Sequence, residues 1–230
     1  MDIVLIAGLW LPPQVWDDVE IQLASLGHRG VPVKLPGQGD GNGQATLDDQ
    51  VVAVLATVDA TDEPPLVVGH SAAANLAWIA ADRREIAGVV LIGGFPVADG
   101  AGYADFLPIA DGLMAFPGWG AFEGPDSADL DEPARTRLEV GMIPTPEGVA
   151  RGVVRLTDDA RYDVPATLIC PEFSPDEARA WLAGGDLPEL AKARRLELVD
   201  LDSGHWPMVT QPARLAELLA QAADRGRPPG

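Results

Sequence analysis

The sequence predicts an α/β fold built on a mostly parallel, doubly wound sheet. Short apolar runs rich in Val, Ile and Leu recur along the 230 residues, and stretches with the apolar spacing of helices lie between them. The runs lack period-two alternation, which indicates strands that helices cover on both faces. Strands that alternate with helices in this way form parallel sheets.

Six strands are predicted in chain order, each with the length of a buried strand: residues 3–7, 30–35, 65–69, 88–94, 166–170 and 196–201. Apolar spacing and flanking Gly or Pro predict five helices between and after them, at about 14–26, 46–59, 72–83, 175–193 and 209–223.

The connection between the fourth and fifth predicted strands is much longer than the others. Residues 96–164 contain no clear strand and are rich in Gly, Pro, aromatic and acidic residues. Because structureless loops of this length are uncommon in compact domains, we expect a small helical cap, inserted before the penultimate strand of a single domain spanning 1–230. Its large apolar side chains would line a substrate pocket or, more often for such residues, pack the cap onto the body: Met114, Phe116, Trp119 and Phe122.

Composition limits the classes of partner. Hydrophobic residues make up 47% and charged residues 22%, as in globular chains, and 16 Lys and Arg face 35 Asp and Glu for a net charge of −19. Nucleic acid and anionic membrane surfaces would be repelled, so we expect a small-molecule substrate. The oligomeric state stays open.

The single cysteine and the N-terminal residues indicate the cellular compartment. Cys170 lies in the apolar run "ATLIC", which excludes an internal disulfide and predicts a buried thiol. The opening "MDIVLIAG" carries five apolar residues before Gly8, too few for a signal peptide or a membrane span. The expectation is a cytoplasmic protein.

The stretch "LVVGHSAAAN" at 66–75 raises the question of a nucleophile. Ser71 follows a predicted buried strand and opens a predicted helix, which is the context of the G-x-S-x-G turn that exposes a serine hydroxyl. Gly69 and Ala73 occupy the two small positions, and alanine is still small enough for the second. A serine that only caps a helix would give the same local pattern, so other residues must decide.

A candidate base lies far downstream in "LDSGHWP", where His205 follows the last predicted strand on a Gly-containing loop. A serine needs such an imidazole to take its proton. His70 adjoins Ser71, but neighbours on a tight turn point apart, so we expect a supporting role at most. His28 is expected at the surface. No two histidines have ligand spacing on one helix, so no metal site is predicted.

Acyl transfer also requires donors for the developing oxyanion. The backbone N–H of Ala72, directly after the nucleophile, is the first candidate, and that of Leu9, in the loop after the first strand, is the second. Trp10 and Leu11 in that loop are expected to face the substrate pocket, as is Trp206 beside the candidate base.

These residues resemble the α/β-hydrolase superfamily, and within it the small plant-type esterase and hydroxynitrile lyase group. The resemblance runs nearly end to end through "AGLWLPPQVWDDVEIQLASLGHRGVPVKLPGQG", "VVGHSAAANLAWIAA", "VVLIGGFPVADG", "LMAFPGW" and "SGHWPMVTQPARLAELL". It implies the α/β-hydrolase fold, with Ser71 as nucleophile and His205 as base. The first loop departs from the group's usual His-Gly by reading Ala7-Gly8, which removes a side chain and keeps the backbone donor.

The third member of the implied triad is missing from its usual place. The group's Asp would align with Phe173 or Ser174 in "ATLICPEFSPDEA". Glu172 lies on the right loop and has the reach to replace it. Asp176 is expected to stabilise a helix N-terminus, and Asp99 to turn the chain into the cap.

The sequence therefore favours a cofactor-free serine hydrolase that acts on a small apolar or aromatic carboxylic ester. A carboxylate at the nucleophile position, as epoxide hydrolases and dehalogenases need, is absent. Two alternatives stay open because fold alone does not determine function. One is a lyase or cyclase that uses Ser71 and His205 as acid and base, and the other is a ligand-binding protein that has lost turnover.

Overall fold

The computed structural model of the chain describes residues 1–226, and its centre is a six-stranded parallel sheet. The strands in chain order are β1 (Asp2–Ile6), β2 (Arg29–Pro32), β3 (Leu66–His70), β4 (Gly88–Ile92), β5 (Leu113–Met114), β6 (Thr145–Pro146), β7 (Ala166–Cys170) and β8 (Leu196–Asp200). The sheet has the order β2-β1-β3-β4-β7-β8 with every neighbouring pair parallel, while β5 and β6 form a separate antiparallel ribbon. The six predicted strands and the parallel α/β fold are confirmed.

The helices in chain order are α1 (Asp17–Ser25), α2 (Leu47–Asp59), α3 (Ala74–Arg83), α4 (Glu132–Gly141), α5 (Glu147–Ala150), α6 (Pro175–Gly184), α7 (Pro207–Thr210) and α8 (Pro212–Gly226). The predicted helix at 175–193 is too long, because α6 ends at Gly184 and the next residue, Gly185, adopts the left-handed conformation with φ 86°. Glycine enters that region without steric cost, and it commonly terminates helices in this way. Residues beyond it form a loop with one 3-10 turn, Leu190–Lys192.

Helices cover both faces of the sheet. Every residue of β3, β4 and β7 is buried. Successive side chains of a strand point to opposite faces, so Val67 packs in the cluster that includes α2 and α3, and Val68 in the cluster that includes α1 and α8. Burial on both faces is the reason why these strands read as continuous apolar runs.

The cap lies over the carboxyl edge of the sheet. The Ile143 N–H donates to the carbonyl oxygen of Trp10 at 2.8 Å, and the His205 N–H donates to that of Asp126 at 2.7 Å. Trp10 lies in the loop after β1 and His205 in the loop after β8. Both loops leave the parallel sheet at its carboxyl edge, so the cap is bonded to that edge. Besides α4 and α5, the cap contains the β5–β6 ribbon and four glycines with positive φ: Gly100, Gly112, Gly118 and Gly124.

Cys170 is fully buried, and burial raises the pKa of its thiol to about 12, so it stays protonated at neutral pH.

Of the helices in residues 1–226, none is both long enough and apolar enough to cross a membrane.

Candidate active site

Ser71 sits on a tight turn between β3 and α3, where it begins the 3-10 turn Ser71–Ala73. Its φ is 54°, a left-handed conformation that side chains with a Cβ rarely adopt. Two glycines make room for the turn: a Cβ on Gly69 would overlap the Ala73 carbonyl, and one on Gly94 would overlap the Ser71 carbonyl. Such strain persists where the surroundings enforce it, and it is frequent at active sites. Gly94 was not singled out from the sequence.

The two candidate oxyanion donors lie on either side of this turn. Ala72 is in the first turn after β3, where backbone N–H groups lack intrahelical acceptors. β1 pairs with β3, which brings Gly8 so close that a Cβ on it would lie 3.1 Å from the Cβ of Ser71. Leu9 follows directly, and its N–H has no hydrogen-bond acceptor in the described chain. Both amides are therefore available to an oxygen near Ser71.

His205 is oriented by Glu172. Its Nδ1–H donates to the Glu172 Oε1 at 2.8 Å, and both side chains are largely buried. This hydrogen bond leaves Nε2 as the basic ring nitrogen. Gly93, with φ 56°, packs against the pair, since a Cβ there would lie 3.1 Å from the Glu172 carboxylate and 3.3 Å from His205 Nδ1.

The consecutive glycines after β4 bring the two halves of the site together. Gly93 adjoins the Glu172–His205 pair, while Gly94 adjoins the backbone of Ser71. Over residues 1–226 no hydrogen bond joins the Ser71 hydroxyl to His205. Catalytic hydrogen bonds of this type commonly tighten only when substrate is bound.

The backbone of His205 is held from two directions. The His70 Nε2–H donates to the carbonyl oxygen of His205 at 2.7 Å, and the His205 N–H donates to Asp126 in the cap. One residue earlier, the Gly204 N–H donates to Asp129 Oδ2 at 2.8 Å. Sequence reasoning missed the two aspartates, because nothing distinguishes them within the acidic stretch "EGPDSADLDE".

His70 acts here as a neutral donor. It is 1% exposed, and burial, with the nearby charge of His205, lowers its pKa to about 3. A neutral imidazole carries one N–H, and the contact to a carbonyl oxygen places that proton on Nε2. The supporting role expected for His70 thus has a concrete form, which is to fix the loop that carries His205.

The other carboxylates considered as triad acid lie elsewhere. Asp99 Oδ1 accepts from the Leu156 N–H at 3.0 Å, and the exposed Asp176 pairs with Arg179. Among the three candidates, only Glu172 contacts His205 in the part of the chain that is described.

Asp126 adds a second acidic group to the site. Burial raises the pKa of its carboxyl and the charge of Glu172 raises it further, whereas the charge of His205 lowers it. The Asp126 carboxyl therefore interacts electrostatically with both Glu172 and His205. Residues 1–226 contain no group of three or more His, Cys, Asp or Glu placed to hold a metal ion.

A cavity of about 490 Å³ opens beside Ser71 and Ala72. Side chains from the loop after β4 and from the early part of the cap surround it, including Phe95, Val97, Tyr103, Asp105 and Phe106. The cavity is large enough to hold a small molecule next to Ser71.

Trp10 and Trp206, expected at the pocket, are not among the residues that line this cavity. Trp10 is 5% exposed and its indole N–H donates to the Met114 carbonyl at 3.0 Å, and Trp206 is 3% exposed. Together with cap residues they form an aromatic cluster of edge and face contacts: Phe116, Trp119 and Phe122. These cap residues pack the cap onto the body. Leu11 is likewise buried in the core.

Comparison with known proteins places these features in a wider group. A family model described as "Alpha/beta hydrolase family" matches residues 3–218. No curated protein matches the chain.

Solved structures with a similar fold include an extracellular α/β-hydrolase from a Paenibacillus species, described as sharing structural and functional homology with tobacco salicylic acid binding protein 2. It is 18% identical with a TM-score of 0.77, over 97% of this chain and 99% of that one. A methylesterase from Arabidopsis is 16% identical with a TM-score of 0.72, over 97% and 99% of the two chains. Tomato methylketone synthase I, in complex with 2-tridecanone, is 15% identical with a TM-score of 0.72, over 98% of each. At these identities the likeness is one of fold.

Proposed function

Because this chain belongs to the alpha/beta hydrolase family, we propose that it is a cofactor-independent carboxylic-ester hydrolase with Ser71 as its nucleophile. The observation that carries this proposal is the pairing of a strained serine, with φ 54° on a glycine-lined turn, and a histidine whose Nδ1 is bound by a carboxylate at 2.8 Å. A serine hydroxyl becomes a nucleophile when a rigid turn exposes it and an imidazole, itself oriented by a carboxylate, takes its proton.

The first half of the reaction forms an acyl-enzyme. Ser71 Oγ attacks the ester carbonyl carbon while His205 Nε2 takes the hydroxyl proton, and the carbonyl oxygen becomes an oxyanion held by the N–H groups of Leu9 and Ala72. The imidazolium then gives its proton to the leaving alkoxide as the carbon–oxygen bond breaks. The alcohol departs and the acyl group stays on Ser71.

The second half uses water in place of the serine hydroxyl. His205 takes a proton from the water as it attacks the acyl carbon, and then returns the proton to Ser71 Oγ when the carboxylic acid leaves. Glu172 keeps His205 in the tautomer with a basic Nε2 and stabilises the imidazolium that forms in each half. His70, Asp126 and Asp129 act through the backbone, as positioning residues for the His205 loop.

Ester hydrolysis is better supported than the lyase or cyclase alternative. That alternative was motivated by the missing aspartate, which would leave the imidazole without orientation. Since Glu172 accepts from His205 Nδ1, the motivation no longer applies.

The substrate is proposed to be a small ester with an apolar or aromatic group, since Phe95, Val97 and Phe106 contribute to the cavity. A net charge of −19 makes nucleic acid and anionic membranes poor partners. A cytoplasmic location is part of the same proposal and rests on the single, buried Cys170.

Fluorophosphonate labelling combined with aryl ester turnover tests the proposal. Wild type is expected to be labelled at Ser71 and to hydrolyse short aryl esters, and Ser71→Ala is expected to lose both properties. Ser25→Ala, at the exposed end of α1, is the matched control and should behave as wild type. Labelling without ester turnover would favour the lyase or ligand-binding alternative, and absence of labelling at Ser71 would overturn the proposed nucleophile.

A further inference from the structure

Tyr103 carries a phenol hydroxyl that no group of the described chain binds and that is not closed off from the cavity beside Ser71. The residue is 4% exposed, and no side chain or backbone group of residues 1–226 bonds to its hydroxyl. Tyrosine hydroxyls in largely apolar surroundings normally bind a polar partner, because the ring is apolar and the hydroxyl is polar. The Tyr103 hydroxyl is therefore free to bind a polar atom of a molecule in the cavity.

The hydroxyl has a place to find that ligand, since Tyr103 lines the same cavity as Ser71 and Ala72. The other polar side chains there are engaged. Asn75 donates to the Ala72 carbonyl at 3.1 Å and accepts from the Val97 N–H at 2.8 Å. The Asp105 carboxylate lies 3.7 Å from the guanidinium of Arg151. Apart from the nucleophile, Tyr103 is the neutral group left to meet a polar atom of a substrate.

The position of Tyr103 is rigid. Its backbone N–H donates to the Gly152 carbonyl at 2.8 Å, and the next residue, Ala104, donates to the Ala150 carbonyl at 3.0 Å. Two segments of the cap are thus joined at this point. A donor held in this way loses little conformational entropy on binding, which is the condition for selecting one substrate over another.

The chemistry of the site indicates what the hydroxyl would bind. Burial raises the pKa of Tyr103 above its usual value, so the phenol keeps its proton and is available as a donor. Asp105 in the same cavity and the net charge of −19 disfavour an anionic acceptor. The remaining partner is a neutral acceptor oxygen.

We propose that the Tyr103 hydroxyl donates a hydrogen bond to a neutral ether or carbonyl oxygen in the acyl part of the substrate, separate from the reacting ester, and so selects esters that carry such an oxygen. This inference rests on the proposed hydrolysis at Ser71 and adds a substrate class to it. An ester without that oxygen covers the phenol hydroxyl without offering it an acceptor, which lowers the transition-state binding of that ester relative to the matching ether.

The test compares pairs of p-nitrophenyl esters in which one methylene is replaced by oxygen: butyrate with methoxyacetate, pentanoate with 3-methoxypropanoate, and hexanoate with 4-methoxybutanoate. For each pair, kcat/KM is measured for wild type and Tyr103→Phe, so that intrinsic ester reactivity cancels in the ratio. In at least one pair the ether ester should lose about tenfold in kcat/KM in Tyr103→Phe, while its alkyl partner changes by less than about twofold. Unchanged ratios in all three pairs would overturn the assignment.

Tyr162→Phe is the matched control, since the Tyr162 hydroxyl bonds to Glu189 and does not line the cavity. It should leave all three ratios at their wild-type values. Tyr103→Phe should unfold at about the wild-type temperature, because the hydroxyl makes no hydrogen bond within residues 1–226.

Binding on a Ser71→Ala background separates this inference from the proposed function. The same esters are titrated by NMR against Ser71→Ala and Ser71→Ala/Tyr103→Phe, where no acyl-enzyme can form. Tighter binding of an ether ester that disappears with Tyr103→Phe would support the hydroxyl's role even if wild type hydrolyses no ester. Equal binding by both proteins, together with normal turnover by wild type, would leave hydrolysis intact and overturn the role of Tyr103.

Discussion

The Glu172 carboxylate accepts the Nδ1–H of His205 at 2.8 Å, although Glu172 stands one residue before the place where an aspartate was expected. Glutamate is one methylene longer than aspartate, and the extra reach compensates for the earlier position on the loop after β7. The site therefore has an orienting acid supplied by a different residue type at a shifted position.

Replacing Glu172 by Gln should reduce kcat by about 10²–10⁴-fold, because an amide can donate to Nδ1 and hold the imidazole in the wrong tautomer. Glu172→Asp should also be impaired, since the shorter side chain loses reach. Aryl ester turnover and the rate of labelling at Ser71 are the measurements. Asp176→Asn, on the exposed surface of α6, is the control, and equal losses in the two variants would contradict an orienting role for Glu172.

His70 should affect catalysis through the His205 loop. His70→Phe removes the Nε2–H that holds the His205 carbonyl at 2.7 Å, and kcat is expected to fall by about tenfold or more because small displacements of a catalytic group are costly. His70→Gln places an amide donor near the same point and should recover part of the loss, with KM little changed. Equal activity of the two variants would argue against this hydrogen bond.

The same residue predicts a pH dependence of stability. The pKa of His70 is about 3 in the folded protein, against 6.5 for an ordinary histidine, so the unfolded chain binds more protons between these values. The contribution of the neutral imidazole is fully present above pH 6.5 and is lost as the pH falls toward 3. Urea unfolding of wild type and His70→Gln from pH 3.5 to 8 should show a free-energy difference that shifts in favour of the variant as the pH decreases. A difference that is independent of pH would contradict the lowered pKa.

Gly94 should be intolerant of a side chain. In Gly94→Ala, the new Cβ would overlap the Ser71 carbonyl and force the nucleophile turn to move. A displacement of about 1 Å at a reacting group costs on the order of 10²-fold in rate, so labelling at Ser71 should slow by about that factor. Gly120→Ala serves as control, because a Cβ there meets nothing within 4 Å. Wild-type labelling of Gly94→Ala would show that the turn is less tight than the structure indicates.

The features of the structure that could be predicted from the sequence depend on residues close together in the chain. The strands β3, β4 and β7 were predictable because burial on both faces requires apolar runs, and the turn at Ser71 because close approach of strand and helix requires small residues at fixed spacing. Membership of the hydrolase family followed from these patterns and their order along the chain. The overestimate of α6 has the opposite cause, since a single left-handed glycine at 185 outweighed the apolar spacing beyond it.

The residues that complete the site depend on contacts between distant parts of the chain. Glu172 and His205 are 33 positions apart, Asp129 and Gly204 are 75 apart, and His70 and His205 are 135 apart. Nothing in the local sequence distinguishes Asp129 from the aspartates around it, or Tyr103 from a core tyrosine. Their roles follow from which backbone group or cavity each side chain meets.

The sequence by itself determined the parallel sheet and the tight turn at Ser71, and it indicated His205 as the candidate base, because each of these requires particular residue types at short and regular spacing. Only the tertiary structure decided which carboxylate orients His205, what holds its loop, and where a substrate can lie. Those answers depend on distances across the fold, since a hydrogen bond of 2.8 Å forms only where folding has already brought its two ends together.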